Sequence, residues 1–337
     1  MEQQERVANS RTDAELELRI SVVIPVYGGE GTLETLIEEI APLASTSVSP
    51  AGRRYVINEV LLVHDCGRDR SDLIIEEMAR RHAFVRPVWL TRNFGQHAAT
   101  LAGMASATGD WVVTIDEDGQ QDPRDIAKLV DAAMDNHLQL VYALPLNPPP
   151  HGIVRNLASV AAKHIAGRLM GTGKIARFNS FRVVSGEIAR TLAAYCGSGI
   201  YLDVGLYWIT GRFGYCSVHL RREMDRPSGY SYFKLAQHFW RLIFTTGTRP
   251  LRLITVLGFV SVALAVVIAV YALWGRFVAD APVQGWASML IVVSFFSGCI
   301  LMALGVIAEY LAVTMGIAMG KPLYVVASRP TRPALDA

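Results

Sequence analysis

Gly109-Asp-Trp-Val-Val-Thr-Ile-Asp-Glu-Asp-Gly-Gln-Gln-Asp-Pro123 is the stretch that decides the fold of this chain. Trp111 to Ile115 is a short apolar run without polar alternation, the pattern of a strand covered on both faces in a parallel α/β sheet. Ligands of open α/β sheets bind at the carboxyl edge of such strands. Asp116 and Asp118 stand at that edge. If the backbone stays extended, Asp-x-Asp spacing turns both carboxylates to one side, where they can share one divalent cation with a diphosphate, the usual way Mg²⁺ is held. Acidic turns after strands are also ordinary solvated features, so the pair gains meaning only from its surroundings.

Those surroundings alternate strand and helix. Ile20 to Val26, Val56 to Val63, Val85 to Leu90 and Leu138 to Leu144 read as further strands. Thr32 to Ile40, Asp69 to Arg81, Gln96 to Ala107 and Pro123 to Met134 read as helices, the last with proline in its first turn. This order predicts an α/β doubly wound parallel sheet, closed by the proline-rich segment Pro145 to Pro150. Polar residues gather at successive strand ends: Tyr27 and Glu30, Asp65 and Asp69, Arg92 and Asn93, then Asp116 and Asp118. Each alone reads as a cap or turn residue; Asp69 would serve as an N-cap. Together they place polar groups on one rim. Gly28-Gly-Glu-Gly31 lacks the third glycine of a dinucleotide-binding loop and sets Glu30 where phosphates would lie, which argues against a Rossmann dehydrogenase.

The C-terminal third belongs to a different solvent. Of 337 residues 51% are hydrophobic, and the mean hydropathy is +0.29, too apolar for an ordinary soluble enzyme. Leu253 to Gly275 and Trp286 to Ala308 are free of charge, and each is long enough to cross a hydrocarbon core of roughly 30 Å as a helix. Arg276 to Gly285 joins them too briefly for anything but a hairpin. Arg241, Arg249 and Arg252 before the hairpin and Lys321, Arg329 and Arg332 after it outweigh the lone Arg276, which Asp280 offsets. The positive-inside rule then places both termini and the large N-terminal region in the cytoplasm. No secretory signal follows Met1. Cys66, Cys196, Cys216 and Cys299 have no metal-binding spacing, and no disulfide is expected in a reducing compartment. Tyr232 to Phe244 mixes aromatic and aliphatic residues with Lys234, His238 and Arg241, which suits an interfacial helix or a packing helix of the globular part. Ser297, Gly298, Gly305, Gly316 and Gly320 would permit close helix contact, leaving the oligomeric state open.

Val22-Val-Ile-Pro-Val-Tyr27, Val63-His-Asp65, Arg92-Asn-Phe-Gly-Gln-His97 and Asp116-Glu-Asp-Gly-Gln120 with Pro123 resemble family 2 glycosyltransferases of the GT-A fold. Ser180-Phe-Arg182, Arg226-Pro-Ser-Gly-Tyr230 running into Lys234-Leu235, Glu309-Tyr-Leu311 and Gly320-Lys-Pro-Leu-Tyr324 narrow the likeness to polyprenyl-phosphate glycosyltransferases. That group includes dolichol-phosphate mannose synthase, bacterial undecaprenyl-phosphate glucosyltransferases and the undecaprenyl-phosphate aminoarabinose transferase. The likeness covers about residues 20 to 327. It implies a membrane-bound inverting enzyme that moves one sugar from a nucleotide-diphosphate sugar to polyprenyl phosphate at the cytoplasmic face, for modification of the cell envelope.

The resemblance also assigns roles. Pro25, Tyr27, Glu30, Asp65, Arg92, Asn93 and Asp116 would bind the nucleotide sugar, with Asp65 reading the base. Asp116, Asp118 and Gln120 would hold Mg²⁺ or Mn²⁺; Asp118 and Arg182 would be catalytic; Arg182, Arg222, Ser228 and Tyr230 would take the acceptor phosphate. The expected divisions are an extension over 1–19, a GT-A domain over 20–229, an interfacial helix over 230–250, two transmembrane helices over 251–314 and a cytoplasmic tail over 315–337. Two positions depart from the pattern: His64 stands where an aspartate is usual, and Ser180 where the glucosyltransferase branch has one. A phosphate monoester is already an anion near pH 7, its second pKa lying near 6, so no general base is required at Ser180. A UDP-linked hexose or aminopentose fits the motifs better than GDP-mannose. A processive polysaccharide synthase would carry Gln-x-x-Arg-Trp, whereas Gln237-His-Phe-Trp-Arg241 has the order reversed. A non-catalytic membrane scaffold would need no carboxylate pair. Nothing in the motifs points to nucleic acid.

Overall fold

The computed structural model describes residues 17–147, 178–197, 201–221, 249–277, 285–320 and 322–330. These fall into two compact units, one holding 17–147, 178–221 and 322–330 as far as described, the other holding 249–277 and 285–320.

In the first unit β1 (Leu18–Val26), α1 (Leu33–Ile40), β2 (Ser47–Val48), β3 (Arg54–His64), α2 (Ser71–Arg81), β4 (Val85–Leu90), α3 (Gln96–Ser106), β5 (Trp111–Thr114), α4 (Asp125–Asp135) and β6 (Leu140–Pro145) follow one another much as the hydrophobic pattern predicts. They are followed by β7 (Arg182–Ser185), α5 (Gly186–Tyr195), α6 (Leu202–Ile209) and β8 (Phe213–Val218). The sheet order is β8-β6-β7-β5-β1-β3-β4, and Val326–Ala327, the last strand of the sheet, pairs with β4.

This sheet corrects the all-parallel expectation. β5, β1, β3 and β4 are parallel, but β7 enters between β5 and β6 and is antiparallel to both. β7 has only four residues, so its apolar period is too short to announce a strand or its partners. The segment Val326–Ala327 falls in what the sequence presents as a tail, yet it closes the β4 edge.

Alternation along the strands sends side chains to two cores. Ile20, Val22, Ile24 and Val26 of β1 face α1, α2 and α4, where Leu33, Leu36, Ile37 and Ile40 recur at helical spacing. Val23 faces the opposite layer of α3, α5 and α6. Fully burying each such side chain contributes about 1.5–3 kcal/mol. Small residues let α3 lie close to the sheet: a Cβ on Gly103 would come within 2.3 Å of Val23 Cγ1. Pro25 is tolerated in central β1 for a geometric reason. Ile115 N–H donates to Val23 O as β5 ends, and Pro25 shares the parity of Val23, so its missing N–H faces the side β5 has already left.

In the second unit α7 (Arg249–Phe277) and α8 (Trp286–Ala318) cover both predicted spans. Among the described residues one helical stretch, Phe295–Gly316, is long and apolar enough to cross a membrane; Gly258–Ile268 is a shorter apolar segment. Val292, Phe296, Cys299, Ala303, Val306 and Tyr310 form a half-buried stripe along α8 at spacings of three and four. Phe296, Cys299 and Ala303 line an apolar cleft of about 320 Å³ with Gly258, Ser261 and Ala265 of α7. Ser297, Gly298 and Gly305 are exposed instead.

Candidate active site

The carboxyl ends of β1, β3, β4 and β5 meet at one rim, as parallel strands require. β5 stops at Thr114 and the chain turns at Glu117 and Asp118, so extended alternation does not govern the acidic pair. Tertiary contacts hold it instead. Asp116 Oδ1 accepts from Gln96 Nε2 at 2.7 Å; Asp116 Oδ2 accepts from Gln121 Nε2 at 2.9 Å and from the Ser180 hydroxyl. Gln121 Nε2 also reaches Ser180 Oγ at 3.1 Å, and its Oε1 accepts from Asp116 N–H. Asp118 Oδ1 accepts from Gln120 N–H at 3.0 Å. Desolvation, then the neighbouring Asp118 charge, raise the Asp116 pKa against the opposing effects of Ser180, Arg182 and Gln121.

A hard divalent cation fits this donor set. Two adjacent carboxylates lie at the ligand edge, and among the described residues no cluster of three or more His, Cys, Asp or Glu side chains forms a self-sufficient metal cage. Such a pair suits a cation whose remaining ligands are phosphate and water oxygens.

The other predicted nucleotide residues share the rim but engage one another. Tyr27, Glu30, Arg92 and Asn93 are exposed; Pro25 and Asp65 are buried. Asp65 accepts from the backbone N–H groups of Phe94 and Gly95 at 2.7 and 2.8 Å, which ties the β3 end to the β4 loop. Burial still leaves its pKa raised. Arg92 lies over the Phe94 ring at 4.2 Å. Asp69 accepts from Ser71 N–H and from Glu30 N–H, while Arg70 N–H donates to Glu30. His64 is 1% exposed, edge-on to Trp89, with neither ring nitrogen hydrogen-bonded. Desolvation lowers its pKa, opposed by Asp72 and Asp69.

Arg182 sits behind the pair. It is 3% exposed in β7; its guanidinium meets Asp203 of α6 and Thr114 Oγ1, and Tyr142 OH donates to the same Asp203 oxygen at 3.0 Å. Arg182 Nε also donates to Ser180 O at 3.3 Å. In this geometry the guanidinium faces the interior, not an acceptor at the surface. Arg222, Ser228 and Tyr230 lie outside the described residues, but the residue before them is anchored. Arg221 N–H donates to Gln120 O at 2.8 Å, and its guanidinium bridges Glu39 at 2.6 Å and Asp122 at 2.9 Å.

Sequence reasoning missed Glu117, Gln96, Gln121, Asp203 and Arg221 as site residues. Gln96 and Gln121 stand inside the motifs themselves. Asp203 and Arg221 carry no local signal, because their partners lie 21 residues away at Arg182 and 182 residues away at Glu39.

The model of glycosyl transferase family 2 matches residues 21–186, the span from β1 through β7. Residues 21–186 are a domain of glycosyl transferase family 2. The chain resembles the undecaprenyl-phosphate 4-deoxy-4-formamido-L-arabinose transferase of Pectobacterium atrosepticum, at 27% identity over 91% of this chain and 92% of that one. It resembles the bactoprenol glucosyl transferase of Shigella phage SfX at 25% identity, over 93% of this chain and 100% of that one. Among solved structures, the Mycobacterium tuberculosis glucosyl-3-phosphoglycerate synthase with Mn²⁺, UDP-glucose and phosphoglyceric acid aligns at TM-score 0.49 and 20% identity, covering 69% of this chain and 79% of that one. In this family 2 domain the matched span holds Asp116, Asp118, Ser180 and Arg182.

Proposed function

We propose that this family 2 glycosyltransferase moves one sugar, with inversion, from a nucleotide-diphosphate sugar to a polyprenyl phosphate of the undecaprenyl type at the cytoplasmic membrane face. The observation that carries the reading is the Asp116/Asp118 pair held at the sheet rim in a chain whose relatives are named for undecaprenyl-phosphate sugar transfer. UDP is the favoured nucleotide. Tyr27, Glu30, Arg92 and Asn93 border the donor pocket, and Asp65 shapes it by holding the β4 loop.

Asp116 and Asp118, with Gln120 beside them, would hold Mg²⁺ or Mn²⁺, which when bound neutralises charge on the departing diphosphate. Gln96, Gln121 and Ser180 keep Asp116 oriented. Arg182 contributes positive charge behind Asp116. Arg222, Ser228 and Tyr230 would bind the acceptor phosphate, their segment starting from Arg221 beside the acidic loop. The phosphate oxygen is anionic and attacks the anomeric carbon directly; Ser180 need remove no proton.

α7 and α8 serve as a membrane hairpin on this reading, with both termini cytoplasmic. Large apolar side chains stand exposed along both helices, among them Phe259, Tyr271, Phe295 and Leu301, as a lipid solvent favours. A polyprenyl tail stays in the bilayer at about 0.8 kcal/mol per buried CH₂, so the catalytic domain must work at its surface. The test incubates detergent-purified protein with undecaprenyl phosphate and a panel of nucleotide sugars. One lipid-linked monosaccharide is expected; polymer, or no product from any donor, overturns the reading.

A further inference from the structure

Glu117 separates Asp116 from Asp118 in sequence but engages a different strand end. Its Oε2 accepts from Tyr27 N–H at 3.0 Å and from Gly28 N–H at 3.2 Å, and its Oε1 accepts from Gly28 N–H at 3.0 Å. Its backbone carbonyl accepts from Thr32 Oγ1 at 2.5 Å. One residue of the acidic loop thus grips the loop after β1 at both ends.

We propose that Glu117 is a positioning residue that holds the nucleoside-side loop Tyr27–Gly31 in register with the Asp116/Asp118 loop. The other face of loop 27–31 is fixed by the β3 end. Gly29 N–H donates to Ser71 Oγ and Glu30 N–H to Asp69 Oδ2, both at 3.0 Å. Gly67 packs so closely that a Cβ there would lie 2.0 Å from Tyr27 O. Four successive amides, 27 through 30, are therefore committed to side chains of the acidic loop, the loop after β3 and the start of α2. A glycine-rich turn with its amides spent offers no cradle for phosphate. Its task is to carry Tyr27, whose side is exposed at the rim, at a set distance from the carboxylate pair. Glu117 reaches this loop from the acidic side through both carboxylate oxygens and its backbone carbonyl, and a carboxylate that accepts backbone N–H groups makes the stronger class of hydrogen bond.

The inference rests on the proposed donor site but not on the lipid acceptor, so nucleotide binding tests it separately. The full chain in detergent, with Glu117→Gln and Glu117→Ala variants, is titrated calorimetrically with UDP in Mg²⁺ and assayed with donor and undecaprenyl phosphate varied independently. Glu117→Ala should weaken UDP binding and raise the donor KM about tenfold, the effect of losing the carboxylate that holds two backbone N–H groups. Glu117→Gln keeps one acceptor oxygen and should fall between. The acceptor KM and the kcat at saturating donor should stay near wild type in both. Wild-type UDP affinity and donor KM in both variants, or a change confined to kcat, overturns the proposal. If Glu117→Ala does not fold, the near-isosteric Glu117→Gln decides alone by the same criteria. A wild-type chain that binds neither UDP nor GDP in Mg²⁺ removes the nucleotide site itself, an outcome distinct from variants that match a binding wild type.

Discussion

The Ser180 hydroxyl donates to Asp116 Oδ2, so this serine, at the position where the resemblance to the glucosyltransferase branch implies an aspartate, is bound to the acidic pair and faces it as a neutral donor. An aspartate at 180 would set a further carboxylate against Asp116, whose pKa burial and Asp118 already raise. The serine lowers the charge density of that corner.

Ser180→Ala should therefore weaken the metal site without removing the chemistry. Gln96 and Gln121 still hold Asp116, and one lost hydrogen bond to a charged group costs about 1.5–3 kcal/mol. The metal concentration for half activation should rise, while turnover at saturating metal is mostly kept. Abolished turnover at saturating Mg²⁺ would show that Ser180 takes part in the bond-making step.

Asp118→Asn keeps size and removes charge from the cation site. Loss of a metal-held contact in the transition state should lower kcat/KM by several kcal/mol equivalent. EDTA should silence the wild-type protein and Mg²⁺ or Mn²⁺ restore it. Transfer at the wild-type rate in EDTA contradicts a metal-dependent site.

Arg182→Ala leaves Asp203 buried without its cation, a loss of about 3–5 kcal/mol in stability. Replacing both, as Arg182→Met with Asp203→Leu, should be much milder. Thermal unfolding of the purified variants checks this. If Arg182→Ala unfolds like wild type and only raises the acceptor KM, the guanidinium serves the lipid phosphate directly.

Arg222→Ala should raise the apparent KM for the lipid and leave nucleotide-sugar affinity nearly intact, because a guanidinium fork in this segment would meet phosphate and not the donor. Reporter fusions at Asp280 and Ala337 should lie on opposite sides of the membrane. Both reporters on one side would exclude the hairpin.

His64 sets an acid limb on stability. Its folded pKa is depressed below 6.5, chiefly by desolvation, so the unfolded chain binds the proton more readily. Stability then falls as pH drops from about 6.5 through the folded pKa. His64→Phe keeps a ring against Trp89 and removes that titration, so its unfolding midpoint should vary less across the same window. Parallel curves for the two proteins would assign the acid limb elsewhere.

What the sequence alone determined is whatever is written in short-range periodicity. Short apolar runs and helical spacing located β1, β3, β4, β5 and their helices to within a few residues, and the polar strand ends marked the rim. The apolar runs located α7 and α8, since solvent preference is additive along a helix. Only the tertiary structure decided which strand lies beside β5. β7 wins that place over β6 through pairing between residues about 70 apart, Thr114 with Arg182 among them. Only tertiary structure, too, turned Arg182 inward to Asp203, spent Asp65 on the β4 loop and set Glu117 against Tyr27, 90 residues earlier. A side chain's type limits what it can bind, but its partner is chosen by a chain closure that no local pattern encodes.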